Sequence, residues 1–458
     1  MNYSIIQKSQ LEGMDRIDAE YYQLEYLSAV ETIRETKHER LGDIISLLTD
    51  YHANGSYQIL SRNVNLSDDP DYALMVRAID LEKNDYESDV RYVSRHAYDF
   101  LRKTKMYGQE IIIDKIGNAG EVFLMPRLER PVTLGMNLFM IRLKEDYEPA
   151  YVYSFLISKY GKSLIYQRIT GTAPPSIDKE SVRGILIPLP SKQTNQVVKS
   201  IIEDYLKTLE ESKKFYSQAE DLLLEELGLK NAVFEDELSY VVNFSDENNT
   251  DRIDAEYFQP KYNVLASKIK EYGADHLTKI VQNVPARFSP ELGETYKYVE
   301  LANINSSIGT IDGFEKVLGK EAPSRAKRIL KPGDVIVSSV EGSLEKIALV
   351  AESQNDYLAS TGFFQFRSEK ILPEALLILT KSIVIQWQMK KHCAGTILTA
   401  VPSDALDKML IPVLPKTTQQ KIAELVRKSH EARKKSKELL DKAKRKVEEI
   451  IEKGATNG

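Results

Sequence analysis

The chain has 458 residues, of which 42% are hydrophobic and 28% charged, an ordinary balance for folded protein that excludes wholesale disorder. No apolar run approaches the roughly 20 residues a membrane span needs, and the start lacks the basic-then-apolar layout of a secretory signal, so the expected location is cytoplasmic, without membrane contact. A single cysteine, Cys393, excludes an internal disulfide and a cysteine-rich zinc site, and a net charge of −6 speaks against nucleic-acid binding unless a local basic patch or partner subunits supply the positive charge.

In chain order, the first feature is Asp15-Arg-Ile-Asp-Ala-Glu-Tyr-Tyr-Gln-Leu-Glu-Tyr26. It recurs as Asp251-Arg-Ile-Asp-Ala-Glu-Tyr-Phe-Gln-Pro-Lys-Tyr262, with nine of twelve positions identical. Such self-similarity marks an internal duplication. Next, Gly108 to Gly117 parallels Gly333 to Gly342. Val122-Phe-Leu-Met125 parallels Ile347-Ala-Leu-Val350, and Asn137 to Arg142 parallels Gly362 to Arg367, all 225 residues apart. Leu186-Ile-Pro-Leu-Pro190 then parallels Leu410-Ile-Pro-Val-Leu-Pro415. Residues 1–229 and 230–458 are the two halves. The apolar runs Ile111 to Ile116, Val335 to Val340 and Leu186 to Leu189 read as strands, and Ala150 to Ile169 and Pro373 to His392 as helical stretches. Each half opens with a mixed α/β domain.

After each Leu-Ile-Pro motif the pattern changes. Val198, Ile202, Tyr205, Leu209, Ser212, Tyr216, Ala219 and Leu223 alternate in steps of four and three. Ile422, Val426, Ser429, Arg433, Ser436, Leu440, Ala443, Val447 and Ile450 repeat that alternation in the same register, which is the seam of a coiled coil. The seam is imperfect at Ser212, Ser429, Arg433 and Ser436. Residues 191–237 hold six Lys against eleven acids, whereas 416–453 hold thirteen Lys and Arg against seven acids, so each helix suits the other as partner. If the halves are related by a pseudo-twofold axis, the two helices pair antiparallel.

No catalytic constellation is evident. Tyr160-Gly-Lys-Ser163 lacks the glycine spacing of a phosphate loop, and the six His have no metal-ligand spacing. Cys393 reads as a buried thiol at a helix end, and Gly117-Asn-Ala-Gly120 as a tight turn between strands. The repeated Asp15-Arg16-Ile17-Asp18 and Asp251-Arg252-Ile253-Asp254 read as framework rather than as a site, because they do not differ between halves. A modifying enzyme with an unrecognised catalytic domain and a protein scaffold without DNA binding are the competing classes.

In order, these motifs resemble the specificity subunit of type I restriction-modification systems. The resemblance rests on the Arg-Ile-Asp-Ala-Glu-Tyr openings and the Gly-Asp/Glu-Val/Ile-Ile strands. It also rests on the loops Gly171-Thr-Ala-Pro-Pro-Ser176 and Gly395-Thr-Ile-Leu-Thr-Ala-Val-Pro402, then Leu-Ile-Pro, then the glutamines Gln193, Gln196, Gln419 and Gln420. It implies two tandem target-recognition domains, 1–190 and 246–415, with pseudo-twofold symmetry. A central conserved helix and linker (191–245) and a C-terminal conserved helix (416–458) would form an antiparallel coiled coil between them. Each domain would read one half of a bipartite, asymmetric site on double-stranded DNA. The helices would set the spacing and dock two methyltransferase subunits, restriction and translocase subunits could join, and S-adenosylmethionine would sit on the methyltransferase. The chain itself would hold no cofactor or metal and catalyse nothing.

Base reading favours Arg, Lys, Asn, Gln or Ser, and phosphates are held by Lys, Arg and Ser. On that ground the expected DNA contacts are Arg77, Arg102, Lys103, Lys105, Lys115 and Asn118 in the first half, and Arg325, Lys327, Arg328, Ser338 and Ser339 in the second.

Overall fold

The computed structural model describes residues 5–6, 18–87, 89–234, 237–243, 252–394 and 399–456. Asp15, Arg16, Ile17, Asp251 and residues 395–398 of the second Gly-Thr loop lie outside the described residues. The chain divides into two compact units, Met1–Thr208 with Lys434–Gly458, and Leu209–Arg433. Both long helices cross that division, so each unit contains a stretch of both.

In the first unit the strands are β1 (Ile45–Asp50), β2 (Ala73–Val76), β3 (Arg91–Val93), β4 (Lys105–Met106), β5 (Ile111–Asp114), β6 (Val122–Leu124), β7 (Val132–Leu134) and β8 (Leu138–Leu143). They form a framework sheet of order β1-β8-β5-β6 and an inserted sheet containing β3-β2-β7-β4. In the second unit β9 (Gln282–Asn283), β10 (Thr295–Val299), β11 (Glu315–Leu318), β12 (Ala326–Ile329), β13 (Val335–Ser338), β14 (Ile347–Leu349), β15 (Leu358–Ser360) and β16 (Phe363–Arg367) follow the same plan. The framework sheet there is β9-β16-β13-β14 and the inserted sheet β11-β10-β15-β12. The single parallel pairing within each inserted sheet also repeats, β2 with β7 and β10 with β15. The segments whose sequences diverge most therefore keep one topology.

The strands form where they do because the framework sheet is buried on both faces, which selects continuous β-branched runs. Ile111 and Ile113 face one core with Phe139, Ile141, Tyr151 and Phe155. Ile112, Leu138 and Met140 face the opposite core with Leu74, Val76, Val132 and Leu134 of the inserted sheet. In the second unit Val335, Val337, Phe364 and Phe366 face the helical side, and Ile336, Ala348 and Phe363 face Val299, Leu330 and Ala359.

This burial corrects the repeat alignment by one residue on one strand. Ile111 pairs with Ile141 and Ile112 with Met140, while Val335 pairs with Phe366 and Ile336 with Gln365. Ile111 is thus the counterpart of Val335, not of Ile336, and Gln109 (φ 71°) is an extra residue before β5. A slip of one residue exchanges the two faces of a strand; a run of isoleucines cannot reveal that slip in sequence. Gly108 and Gly333 turn the chain ahead of these strands at φ 95° and 84°, a region other residues avoid.

The helical layer of the first unit holds α1 (Leu24–Arg34), α2 (Pro149–Leu156), α3 (Lys159–Tyr166) and the start of α4 (Lys192–Glu226). That of the second holds α5 (Pro260–Tyr272), α6 (Pro373–Lys381), α7 (Ile383–His392) and the start of α8 (Lys416–Thr456). Pro149 and Pro373 both open their helices at the first turn, where a missing N–H costs nothing. Ser158 and Ser382 both cap the next helix, accepting from the Gly161 and Val384 amides. Short ribbons pair His38–Arg40 with Leu186–Pro188 and Ala274–His276 with Leu410–Pro412, so each Leu-Ile-Pro motif closes its own half.

The last aspartate of the repeated acidic opening makes the same local bond in both halves. Asp18 accepts from the Tyr21 amide at 3.1 Å, and Asp254 from the Tyr257 amide at 3.1 Å. In the second copy Arg252 donates to Asp254 at 2.6 Å and to the Cys393 carbonyl at 2.7 Å, tying the opening to the end of α7. Cys393 follows that helix and is buried, which pushes its thiol up to about 11. No helix among the described residues is long and apolar enough to cross a membrane.

Candidate nucleic-acid interface

In the first unit, the chain between β1 and β5 forms most of the inserted module. Two short helices, Tyr57–Asn63 and Arg95–Phe100, pack on its sheet through Leu60 and Ala97, with Leu101 following, and leave polar and aromatic side chains outside. A ladder of rings and cations lies there. The Arg95 guanidinium is 5.5 Å from the Tyr72 ring, which lies 5.5 Å from Tyr98, and Lys105 Nζ sits 4.0 Å over Tyr98. Asp99 holds Lys105 at 3.2 Å and approaches Arg95 at 3.9 Å. Tyr57, Tyr72 and Arg95 are well exposed. Cations interleaved with aromatic faces suit a polyanion that also offers stacking surfaces.

The expected DNA contacts of this unit divide into two groups. Arg102 is exposed, with no ion pair among the described residues, and Lys103 is exposed with its amine on the Ala53 carbonyl at 2.9 Å. With Lys105 they lead into the edge strand β4. Arg77 instead grips buried Asp80 at 2.7 Å and the Asp89 carbonyl, closing a helix start. Lys115 pairs with Asp50 at 3.3 Å, beside Lys179 at 3.0 Å. Burial pushes the Asp50 carboxyl up, but the two lysines outweigh it and hold it below its ordinary value. Asn118 is exposed and donates to Glu82 at 2.7 Å. Arg77 and Lys115 thus have internal work that a surface contact would have to break.

In the second unit the matching edge strand is β12. Arg325 precedes it and Lys327 points out of it, both exposed, while Ala326 and Arg328 alternate inward. Arg328 is buried and donates to the Val284 carbonyl at 2.5 Å, and burial lowers its guanidinium pKa. Ser338 and Ser339 are buried too: Ser338 accepts from the Val340 amide and Ser339 donates to the Gly362 carbonyl at 2.9 Å. These three are corrected to internal positions: alternation along β12 turns Arg328 inward, and Ser338 and Ser339 lie at the end of a strand whose sheet is covered on both faces. A second cation–aromatic group stands on this module, with Lys297 Nζ 5.1 Å from the Phe314 ring and 4.8 Å from Tyr357.

Tyr72, Tyr98, Arg95, Lys297 and Phe314 were not singled out in sequence. A usable signal existed for Tyr98 and Arg95: from Arg91 to Tyr107 the chain carries five Lys and Arg against one acid, with aromatics between. Lys297 and Phe314 come together only through strand pairing.

The seam residues Val198, Ile202, Leu209, Tyr216, Leu223, Ile422, Val426 and Val447 are buried, as are Ser212, Ala219, Ser429, Ser436 and Ala443. Tyr205 and Leu440 are half-buried against the first core. At the end of α8, Ile451 rather than Ile450 takes the buried position. Within the second unit Ser212 meets Ser429 while Glu226 meets Thr418 at 2.9 Å, so α4 and α8 run antiparallel there. No group of three or more His, Cys, Asp or Glu among the described residues is placed to hold a metal ion.

A family model described as the type I restriction modification DNA specificity domain matches residues 35–219. The type I restriction enzyme MjaVIII specificity subunit of Methanocaldococcus jannaschii is 22% identical over 377 residues, covering 76% of this chain and 80% of the relative. Among solved structures, the S subunit of a type I restriction-modification system from M. genitalium aligns over 90% of this chain and 95% of its own, at 12% identity and a TM-score of 0.40. The HsdS subunit from Thermoanaerobacter tengcongensis aligns over 91% and 96%, at 13% identity and a TM-score of 0.27. The resemblance of the chain to type I specificity subunits is therefore borne out, by the match over residues 35–219 and by the relative that spans most of the chain.

Proposed function

We propose that this chain is the DNA-recognition subunit of a type I restriction-modification complex, in which each inserted module reads one half of a bipartite, asymmetric site. The observation that carries this is the pairing of one topology with two different surfaces. β4 and β12 occupy the same edge of their sheets, and the basic residues beside them are Arg102, Lys103 and Lys105 in one unit but Arg325 and Lys327 in the other. Equal scaffolds with unequal side chains are what two unequal half-sites require. Arg and Lys at an exposed edge can neutralise phosphates or bond guanine, and the neighbouring aromatic groups add contact area.

The long helices set the spacing of the half-sites and dock two methyltransferase subunits. α4 has 35 residues, about 52 Å at about 1.5 Å per residue, against about 34 to 36 Å for one turn of duplex. Methylation chemistry belongs to the methyltransferase with its S-adenosylmethionine, restriction and translocation to further subunits, and this chain contributes recognition without catalysis. Methylome sequencing of cells that express the chain with its methyltransferase subunits tests this. A split, asymmetric methyladenine motif is expected, and exchanging residues 1–190 for another recognition domain changes one half of it. An active, bound methyltransferase that leaves no motif favours the scaffold reading instead.

A further inference from the structure

The C-terminal helix α8 carries Arg433 at a seam position, where the four-three pattern asks for an apolar side chain. The second unit accounts for it. Arg433 reaches Asp312 at 3.3 Å, at the end of a small hairpin in the inserted module that pairs Ile304–Asn305 with Thr310–Ile311. One turn earlier, half-buried His430 bonds the Ile308 carbonyl at 2.8 Å. Lys346 donates to the Ile304 carbonyl at 3.1 Å, and Lys381 of α6 to the Ser306 carbonyl. Three cationic or imidazole side chains thus hold alternate carbonyls of one loop, and Arg433 holds the carboxylate that closes it. Asp312 is itself fixed by Asn305 at 3.0 Å and Thr310 at 2.8 Å, so the ion pair grips the hairpin as a whole.

The first half lacks this device. The repeat counterparts of His430 and Arg433, 224 residues earlier, are Leu206 and Leu209. There buried Tyr86 of the inserted module lies close to half-buried Tyr205, which hydrogen-bonds Tyr153 of α2. Among the described residues, an ion pair takes the place of these phenol contacts in the second half.

We infer that Arg433 and Asp312, with His430, are positioning residues that fix the second inserted module on α8 and so determine the spacer length and fidelity of the second half-site. This rests on the DNA-reading function proposed above. The latch touches no base. It acts by holding the module's recognition surface at one register along the helix, and an ion pair half shielded from solvent resists sliding more sharply than an apolar contact does.

The test uses the full chain co-expressed with its methyltransferase subunits and compares the native protein with R433A, D312A and the exchanged pair D312R/R433D by methylome sequencing. In the single variants the first half-site stays unchanged. The second loses stringency, and the preference for native spacing over spacing altered by one base pair falls about tenfold. The exchanged pair recovers it. Hydrogen exchange of residues 304–312, read on the same proteins without DNA, quickens in the single variants and slows again in the exchanged pair. Should R433A fail to fold, R433K keeps the charge and tests the reach. Faster exchange with unchanged spacing and consensus overturns the positioning role and leaves a purely structural contact. A native complex with no split motif overturns the DNA-reading function and this role with it.

Discussion

Ser212 and Ser429 exchange hydrogen bonds across the two long helices: each hydroxyl donates to the other's main-chain carbonyl at 2.8 Å, with the oxygens 3.3 Å apart. Both are buried, so the serines that looked like flaws in the seam are mutual partners at a close helix approach. Ser212→Ala or Ser429→Ala is expected to cost about 1 kcal/mol, the net worth of a buried hydrogen bond. Ser212→Leu, although more apolar, is expected to cost about 1 to 3 kcal/mol by overpacking. Denaturant midpoints of the three variants check this ordering; a Leu variant more stable than the native chain contradicts it.

Both units bury a carboxylate at the start of the central strand. Glu110 accepts from the Tyr107 and Gly108 amides at 2.9 and 2.8 Å and pairs with Arg142 at 3.1 Å. Asp334 accepts from the Lys331 amide at 2.8 Å, from Gln365 at 2.6 Å and from Arg367 at 3.0 Å. Removing the carboxylate leaves its buried donors without an acceptor and a partly exposed arginine unpaired, at a cost of about 1 to 3 kcal/mol. Glu110→Ala should therefore loosen the first unit and Asp334→Ala the second. Hydrogen exchange resolved along the chain distinguishes that from a uniform loss.

His392 is pushed down to about 4, chiefly by burial, with Lys391, Lys408 and Arg252 adding to the effect. The unfolded chain binds its proton near the ordinary value of about 6.5. Between those values the unfolded state holds more protons, so stability falls as pH drops from about 6.5 to about 4 and is unaffected above. The loss through this residue is at most about 3 kcal/mol. Thermal unfolding of His392→Gln should show a flatter profile across that window; a slope identical to the native chain rules His392 out as its source.

On the proposed function, Arg102→Ala with Lys103→Ala should weaken DNA binding by the assembled complex and reduce the slope of log affinity against log salt by about 2, if both meet phosphates. Arg325→Ala or Lys327→Ala should instead alter or relax only the second half-site, by about 1 to 3 kcal/mol for a base contact. Salt titrations on half-site-substituted duplexes separate the two cases. Equal effects on both half-sites would mean that the edge strands do not read separately.

Much of the fold was legible in the sequence because duplication repeats its framework. The identical openings, the Leu-Ile-Pro strands and the four-three seams were placed by pattern alone, and Asp18 and Asp254 make the same hydrogen bond in the structure. The surface was legible only in part. Arg102 and Lys103 could be picked by charge and do lie outside, but Arg328, Ser338 and Ser339 resemble them in composition and point inward. A short strand alternates faces every residue, and which face is wet depends on the layer that packs against it.

By itself the sequence determined that the chain is a duplication, that each copy joins a mixed α/β domain to a long helix, and that the two helices share one seam register. These properties are local, carried by periodicity and identity, and need no partner to be read. Tertiary structure alone decided the register of β5 against β13, the burial of three of the five expected contacts in the second unit, and the use made of Arg433. Each depends on what another segment places opposite a residue. An arginine in a seam is a defect until Asp312, 121 residues away, supplies the charge that makes it a contact.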